Sequence, residues 1–191
     1  MTNTYTKVAI ILHWLIGLSI IALIAVGLVM GEDDLLPMNM RFAAFQLHKS
    51  LGLTVLVLSF ARLLWRMTHK APPLPNTMKP FEKWAAHIVH VLFYILMFAL
   101  PLTGWVIVST SPRNIPTIWF GLFQWPHLPI FTDAPNRGDI SEGFGEVHEN
   151  LAWIAITLII LHVGAALKHH FFDKDDIATR MIPWIKPLTK R

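Results

Sequence analysis

Cysteine is missing from all 191 residues. Its absence excludes disulfides, thiolate-ligated metals, iron–sulfur clusters and thioether attachment of a cofactor. Charge is scarce as well. Asp, Glu, Lys and Arg make up 15% of the chain, against roughly 25% in soluble domains, while 54% is hydrophobic. So little charge cannot clothe a folded surface in water, and a bilayer is the solvent this composition suits. The net charge of +4 and the pI near 9.6 raise the question of nucleic acid. No basic patch or nucleic-acid motif supports it, and the cations stand at the ends of apolar runs, so no nucleic-acid partner is expected.

A spanning helix needs about 20 mostly apolar residues. Four segments qualify: Val8 to Met30, Phe42 to Trp65, Trp84 to Ser109, and Val147 to about Lys168. Their apolar residues run round every face. The expected fold is an all-α integral membrane protein, a single domain forming a four-helix transmembrane bundle over residues 1–191. Gly17, Gly27, Gly52, Gly104 and Gly164 are small enough to let neighbouring helices approach closely. Pro101 is expected to kink the third helix.

Charge bias sets the orientation. Lys7, the second connection (Arg62, Arg66, Lys70, Lys79, Lys83) and the tail (Lys168, Lys174, Arg180, Lys186, Lys190, Arg191) carry most of the cations. The first and third connections hold Arg41, Arg113 and Arg137 among Glu32, Asp33, Asp34, Asp133, Asp139, Glu142 and Glu146. The positive-inside rule then puts both termini in the cytoplasm. The first apolar run is longer than a signal-peptide core and lacks a clear cleavage site, so it is expected to stay. Pro72, Pro73 and Pro75 make a stiff inner linker. The outer loop, residues 110–145, is long for a compact domain. Its aromatic middle, from Trp119 to Pro126, reads either as an interfacial lid anchored by Trp119 and Trp125 or as a plain aromatic belt.

Ten histidines stand out against this background. A polar ring inside a span is costly and suggests a functional site. His148 and His162 share the fourth helix, separated by about 21 Å of rise and about 40° of rotation. One helix face thus offers an imidazole near each membrane surface, too far apart for one metal ion. His13 lies as far inside Lys7 as His162 lies inside Lys168, so these two share an inner depth. His48, inside Arg41, shares an outer depth with His148, near Glu146. The pattern is two bis-histidine sites, one per leaflet. Imidazole suits several metals, but zinc asks for four protein ligands or three plus water. Two facing histidines without a carboxylate favour haem b. At the inner level His87 and His90 compete with His13 as ligand. Lys49 either snorkels outward or pairs with a propionate of the outer cofactor. Arg62 and Arg66 either hold inner propionates or simply obey the positive-inside rule.

Several motifs together resemble the bacterial cytochrome b-561 family of small di-haem membrane cytochromes. They are Leu12-His-Trp14, the run from Leu47 to Gly52 (Leu-His-Lys-Ser-Leu-Gly), and Arg62-Leu-Leu-Trp-Arg66. Ala86-His-Ile-Val-His90, Val147-His148, Leu161-His162 and Lys168-His-His-Phe-Phe-Asp-Lys-Asp175 complete the set. They cover almost the whole chain in order. The resemblance implies two haems b, an inner one on His13 and His162 and an outer one on His48 and His148, and it sets His87 and His90 aside as ligands. It further implies an inner-membrane oxidoreductase with ubiquinone as electron partner and, in one branch, superoxide as the small outer donor. Electrons would enter at the outer site and leave to a quinone near the inner surface. His169, about 20° off the face of His162, is then the expected proton donor to the quinone, with His170, Asp173 and Lys174 near it. The plainer reading is an interfacial histidine pair facing water. The alternative function is a non-catalytic electron-transfer subunit of a dehydrogenase or hydrogenase complex.

Overall fold

The structure, a computed structural model, describes residues 4–32, 34–131, 133–182, 184–186 and 188. Of the charges used above, Asp33, Lys190 and Arg191 lie outside the described residues. Four long helices dominate: α1 (Lys7–Met30), α2 (Met38–Thr68), α3 (Pro80–Thr110) and α4 (Arg137–Lys168). Each is long and apolar enough to cross a membrane.

Local chemistry accounts for several boundaries. The Thr6 hydroxyl caps α1 by accepting from Ala9 N at 3.2 Å, satisfying one of the free first-turn donors. Pro80 opens α3, where its missing N–H costs nothing. Glu82 Oε2 accepts from Lys79 N just before it. The helix α3 continues through Pro101 to Thr110. The largest departure from expectation is α4, which begins at Arg137 and not at Val147. Three glycines and four charges from Arg137 to Glu146 read as loop. Tertiary contacts override that pattern: Arg137 Nη2 donates to Ser109 O at 3.0 Å and Ser141 Oγ to Ile107 O at 3.2 Å. The guanidinium thereby meets free carbonyls at the negative end of α3.

The connection between α3 and α4 is correspondingly shorter than the predicted 110–145 and contains a small hairpin, β1 (Thr117–Trp119) and β2 (Phe123–Trp125). The strands pair antiparallel, with Ile118 opposite Gln124. Gly121 turns the chain at φ 77°, beside Phe120 at φ 47°, a backbone region that bulky residues avoid. The hairpin docks on α2 through residues one face apart. Gln46 Nε2 and Lys49 Nζ donate to Pro116 O at 2.9 and 3.0 Å. Ser50 Oγ accepts from Phe120 N at 3.1 Å, and Trp119 Nε1 donates to Thr54 Oγ1 at 3.2 Å.

Helices adjacent in sequence pack against one another. One core cluster joins Ile16, Val55 and Met97, and a second joins Leu96, Ala155 and Leu158. Ala155 and Leu158 lie on α4 between His148 and His162, so apolar packing fills the middle of the bundle and separates the two histidine levels. A groove lined by Ile21, Ile24, Ile156, Ile159 and Ile160 runs between α1 and α4. Large apolar side chains such as Leu18, Ile21, Phe60 and Ile160 face outward, as lipid contact requires.

Candidate functional site

The four histidines matched by depth meet in the two expected couples. The ring centres of His13 on α1 and His162 on α4 are 6.2 Å apart. Those of His48 on α2 and His148 on α4 are also 6.2 Å apart. Two imidazoles on opposite sides of one metal ion, with bonds of about 2.0 Å, hold their ring centres roughly 6 Å apart. Both couples therefore leave room for one ion and no more. Among the described residues neither couple gathers a third His, Asp or Glu within ligand distance. That excludes the closed ligand set zinc demands and would suit a metal whose other ligands a cofactor supplies.

The second ring nitrogens refine the picture. Thr103 Oγ1 donates to carbonyls, Ala99 O and Leu100 O both lying at 2.8 Å, and it stands 2.9 Å from His148 Nδ1. Its single proton goes to an acceptor that has none, so His148 Nδ1 carries the hydrogen and donates to the hydroxyl. The Nε2 lone pair is then free for a metal, the usual second-layer arrangement for a ligating imidazole. His48 Nδ1 is buried without a hydrogen-bond partner.

Glycines make the space these rings occupy. A Cβ on Gly27 would stand 3.4 Å from His48 Cε1, and one on Gly104 would stand 3.5 Å from His148 Cε1. Both glycines read in the sequence as places of close helix approach; the neighbour they admit is an imidazole. Nothing in the sequence singles them out, since rotation about the helix axis decides what a glycine faces.

The competing histidines behave differently from each other. His87 Nδ1 donates to Lys83 O on its own helix at 2.8 Å and the residue is exposed. His90 donates likewise to Ala86 O, and its ring packs edge-on against His162 with centres 5.7 Å apart. Phe93 packs on His162 in the same manner at 5.4 Å. Arg62 Nη1 donates to Ala9 O and Arg66 Nη1 to His69 O, so each guanidinium holds a backbone carbonyl. Lys49, expected to snorkel or to meet a propionate, is half-buried and holds the hairpin through Pro116 O. Gln46, Ser50 and Thr54 share that work, and their four-residue spacing within an apolar helix was the available signal. In the hairpin's following loop, burial and then Arg137 and Lys49 hold the His127 imidazole below its ordinary value.

His169 lies beyond the end of α4, in a π-helical turn spanning His169–Asp173. It is only 5% exposed, so the reading of a water-facing pair fails for this residue. Its Nδ1 is 2.7 Å from Asp175 Oδ2 and 3.0 Å from Asp173 Oδ2. Asp173 was expected nearby; Asp175, the closer contact, was not. These three residues bring their ligand atoms near one another, but the Lys168 ammonium already sits 2.7 Å from Asp173 Oδ2 and 2.6 Å from Glu82 Oε1. The cation of this cluster is a lysine.

Comparison with known proteins agrees with these observations. A family model described as prokaryotic cytochrome b561 matches residues 4–184. The Escherichia coli (strain K12) protein named cytochrome b561 homolog 2 is 34% identical over 186 residues, covering 95% of this chain and 94% of its own. Cytochrome b561 homolog 1 of the same organism is 30% identical over 187 residues, covering 95% and 98%. A Yersinia pestis protein named probable superoxide oxidase CybB is 31% identical over 184 residues, covering 96% and 98%.

Proposed function

The chain belongs to the prokaryotic cytochrome b561 family of membrane electron-transfer proteins, and from that premise we propose that it binds two haems b and carries electrons across the inner membrane to a quinone. His13 and His162 would hold one haem, His48 and His148 the other. The carrying observation is the identical 6.2 Å spacing of both histidine couples, each without a third ligand. When bound, haem b supplies one-electron exchange between ferric and ferrous iron.

The chain's own residues do the rest. Thr103 fixes the tautomer and orientation of His148, and Gly27 and Gly104 leave the ligand rings their space. The apolar layer of Leu96, Ala155 and Leu158 excludes water between the levels. Both termini face the cytoplasm in this reading, and the outer site takes electrons from a small donor. Superoxide is that donor, on the strength of the Yersinia pestis relative's printed name. Two superoxide anions each lose one electron and leave as dioxygen; ubiquinone gains two electrons and two protons and leaves as quinol. His169 delivers a proton on the inner side, supported by its burial and its place in the turn that directly follows the helix of His162.

The test is a reduced-minus-oxidised spectrum of the purified protein with haem quantified per chain. Two haems b are expected, with one lost in His148→Ala and the other in His162→Ala. Retention of both in either variant overturns the ligand assignment. Superoxide-dependent reduction of ubiquinone-1 by the wild-type protein tests the donor and acceptor separately.

A further inference from the structure

The π-helical turn after α4 buries an imidazole beside two carboxylates, and the haem ligands use none of the three. One imidazole nitrogen can donate only one hydrogen, so the two carboxylates are not equivalent. Asp173 is about a third exposed and its Oδ2 already receives the Lys168 ammonium at 2.7 Å. Asp175 is far more buried, its side chain 12% exposed. Its other oxygen, Oδ1, accepts from Ile177 N at 3.1 Å, which fixes the plane of the carboxylate. Asp175 Oδ2 is left aimed at His169 Nδ1 at 2.7 Å.

The backbone is bent to make this contact. The turn has π geometry, a form concentrated at functional sites. Lys174 then adopts φ 55°, ψ 39°, a left-handed conformation unusual for a residue with a side chain. That reversal returns the chain over the turn, and Asp175 N donates to His169 O at 3.2 Å. Beyond it, Arg180 is buried, donating to Pro73 O and pairing with Asp176 at 2.9 Å, while Trp14 Nε1 donates to Met181 O at 2.8 Å. The tail is thus pinned to α1 and to the proline linker. Among the described residues His169 Nε2 makes no hydrogen bond, and it is not one of the sealed, unpartnered atoms. One edge of an otherwise buried ring stays open.

We propose that Asp175 is the positioning residue of a His–Asp dyad: it holds the hydrogen on His169 Nδ1 and makes Nε2 the atom that exchanges protons. The inference rests on the reading of His169 as proton donor to the quinone. In the step, a quinone that has gained its two electrons from the outer donor takes a proton from His169 Nε2–H onto a carbonyl oxygen. The N–H bond breaks, an O–H bond forms, and the neutral ring recovers its proton from cytoplasmic water. A carboxylate against Nδ1 holds the hydrogen there and fixes the ring, as orienting acids do for catalytic histidines. The other charges of this cluster are Asp173 on the turn, Lys168 on α4 and Glu82 in the first turn of α3.

The test compares Asp175→Asn, Asp175→Glu and His169→Gln in the haem-loaded protein, with superoxide as donor and ubiquinone-1 as acceptor. Asp175→Asn is expected to lower kcat about tenfold with KM nearly unchanged, a smaller loss than the roughly 10²–10⁴-fold of removing a general acid itself. Asp175→Glu should recover most of the rate, and haem content should be unchanged throughout. Wild-type kcat in Asp175→Asn, with His169→Gln slow, overturns the dyad and leaves the donor reading standing. Wild-type turnover in His169→Gln overturns the donor reading itself. Should Asp175→Asn fail to assemble, ring nitrogen shifts of histidine-labelled wild-type protein in the diamagnetic ferrous state decide. The resonance missing in His169→Gln must report a hydrogen on Nδ1; a neutral ring with its hydrogen on Nε2 overturns the proposal.

Discussion

Gly104 on α3 faces the imidazole of His148 on α4 so closely that a Cβ there would lie 3.5 Å from Cε1. That is ordinary contact for a methyl group and leaves no place for anything longer. Gly27 stands in the same relation to His48 at 3.4 Å, so each imidazole of this couple leans on a glycine of a different helix.

Gly104→Ala should therefore keep its full haem complement, whereas Gly104→Leu should push His148 off its position and lose one haem per chain. A close-packed interior cannot absorb three extra carbons beside a fixed ring. Haem-to-protein ratio and the difference spectrum decide; two haems retained in Gly104→Leu contradict the packing argument.

The hairpin depends on one face of α2. Ser50→Ala removes the acceptor of Phe120 N and the hydroxyl's own bond to Gln46 O at 2.8 Å, the nearer of its two carbonyls. Losing these bonds should cost about 1–2 kcal/mol locally, or roughly tenfold in amide opening. Hydrogen exchange over 117–125 should rise accordingly while the helical cores stay protected. Equal exchange in variant and wild type would mean that Gln46 and Lys49 suffice to hold the hairpin.

Orientation is open to a clean test because the chain has no cysteine of its own. Arg113, just after α3, and Lys70, just after α2, are both exposed. With both termini cytoplasmic, Arg113→Cys should react with a membrane-impermeant maleimide on cells whose outer membrane is permeable to it. Lys70→Cys should react only after the inner membrane is opened. The reverse pattern would invert the topology.

Much of this architecture was legible along the chain because a bilayer reduces the problem to one dimension. Length and apolarity marked four spans, and distance from the nearest flanking charge gave each histidine its depth. Depth alone matched His48 with His148 and put His13 level with His162, where His87 and His90 competed, since a helix converts residue number into height at a fixed rise. The start of α4 was misplaced because glycines and charges between Arg137 and Glu146 carry the marks of a loop. Only contacts with the end of α3 make them helical.

What the sequence determined by itself was height: which residues cross, which lie at each level, and which ends carry the positive charge. Tertiary structure decided everything that depends on rotation or on chain reversal. Whether a glycine meets a helix or an imidazole, as at Gly27 and Gly104, depends on how two helices turn toward each other. Whether Lys49 reaches solvent or Pro116 depends on where a distant hairpin settles. That His169 meets Asp175 depends on a π turn and a left-handed Lys174, which no periodicity announces. Hydrophobic length constrains position along the membrane normal strongly and rotation about it hardly at all, so azimuth had to come from side chains packing together.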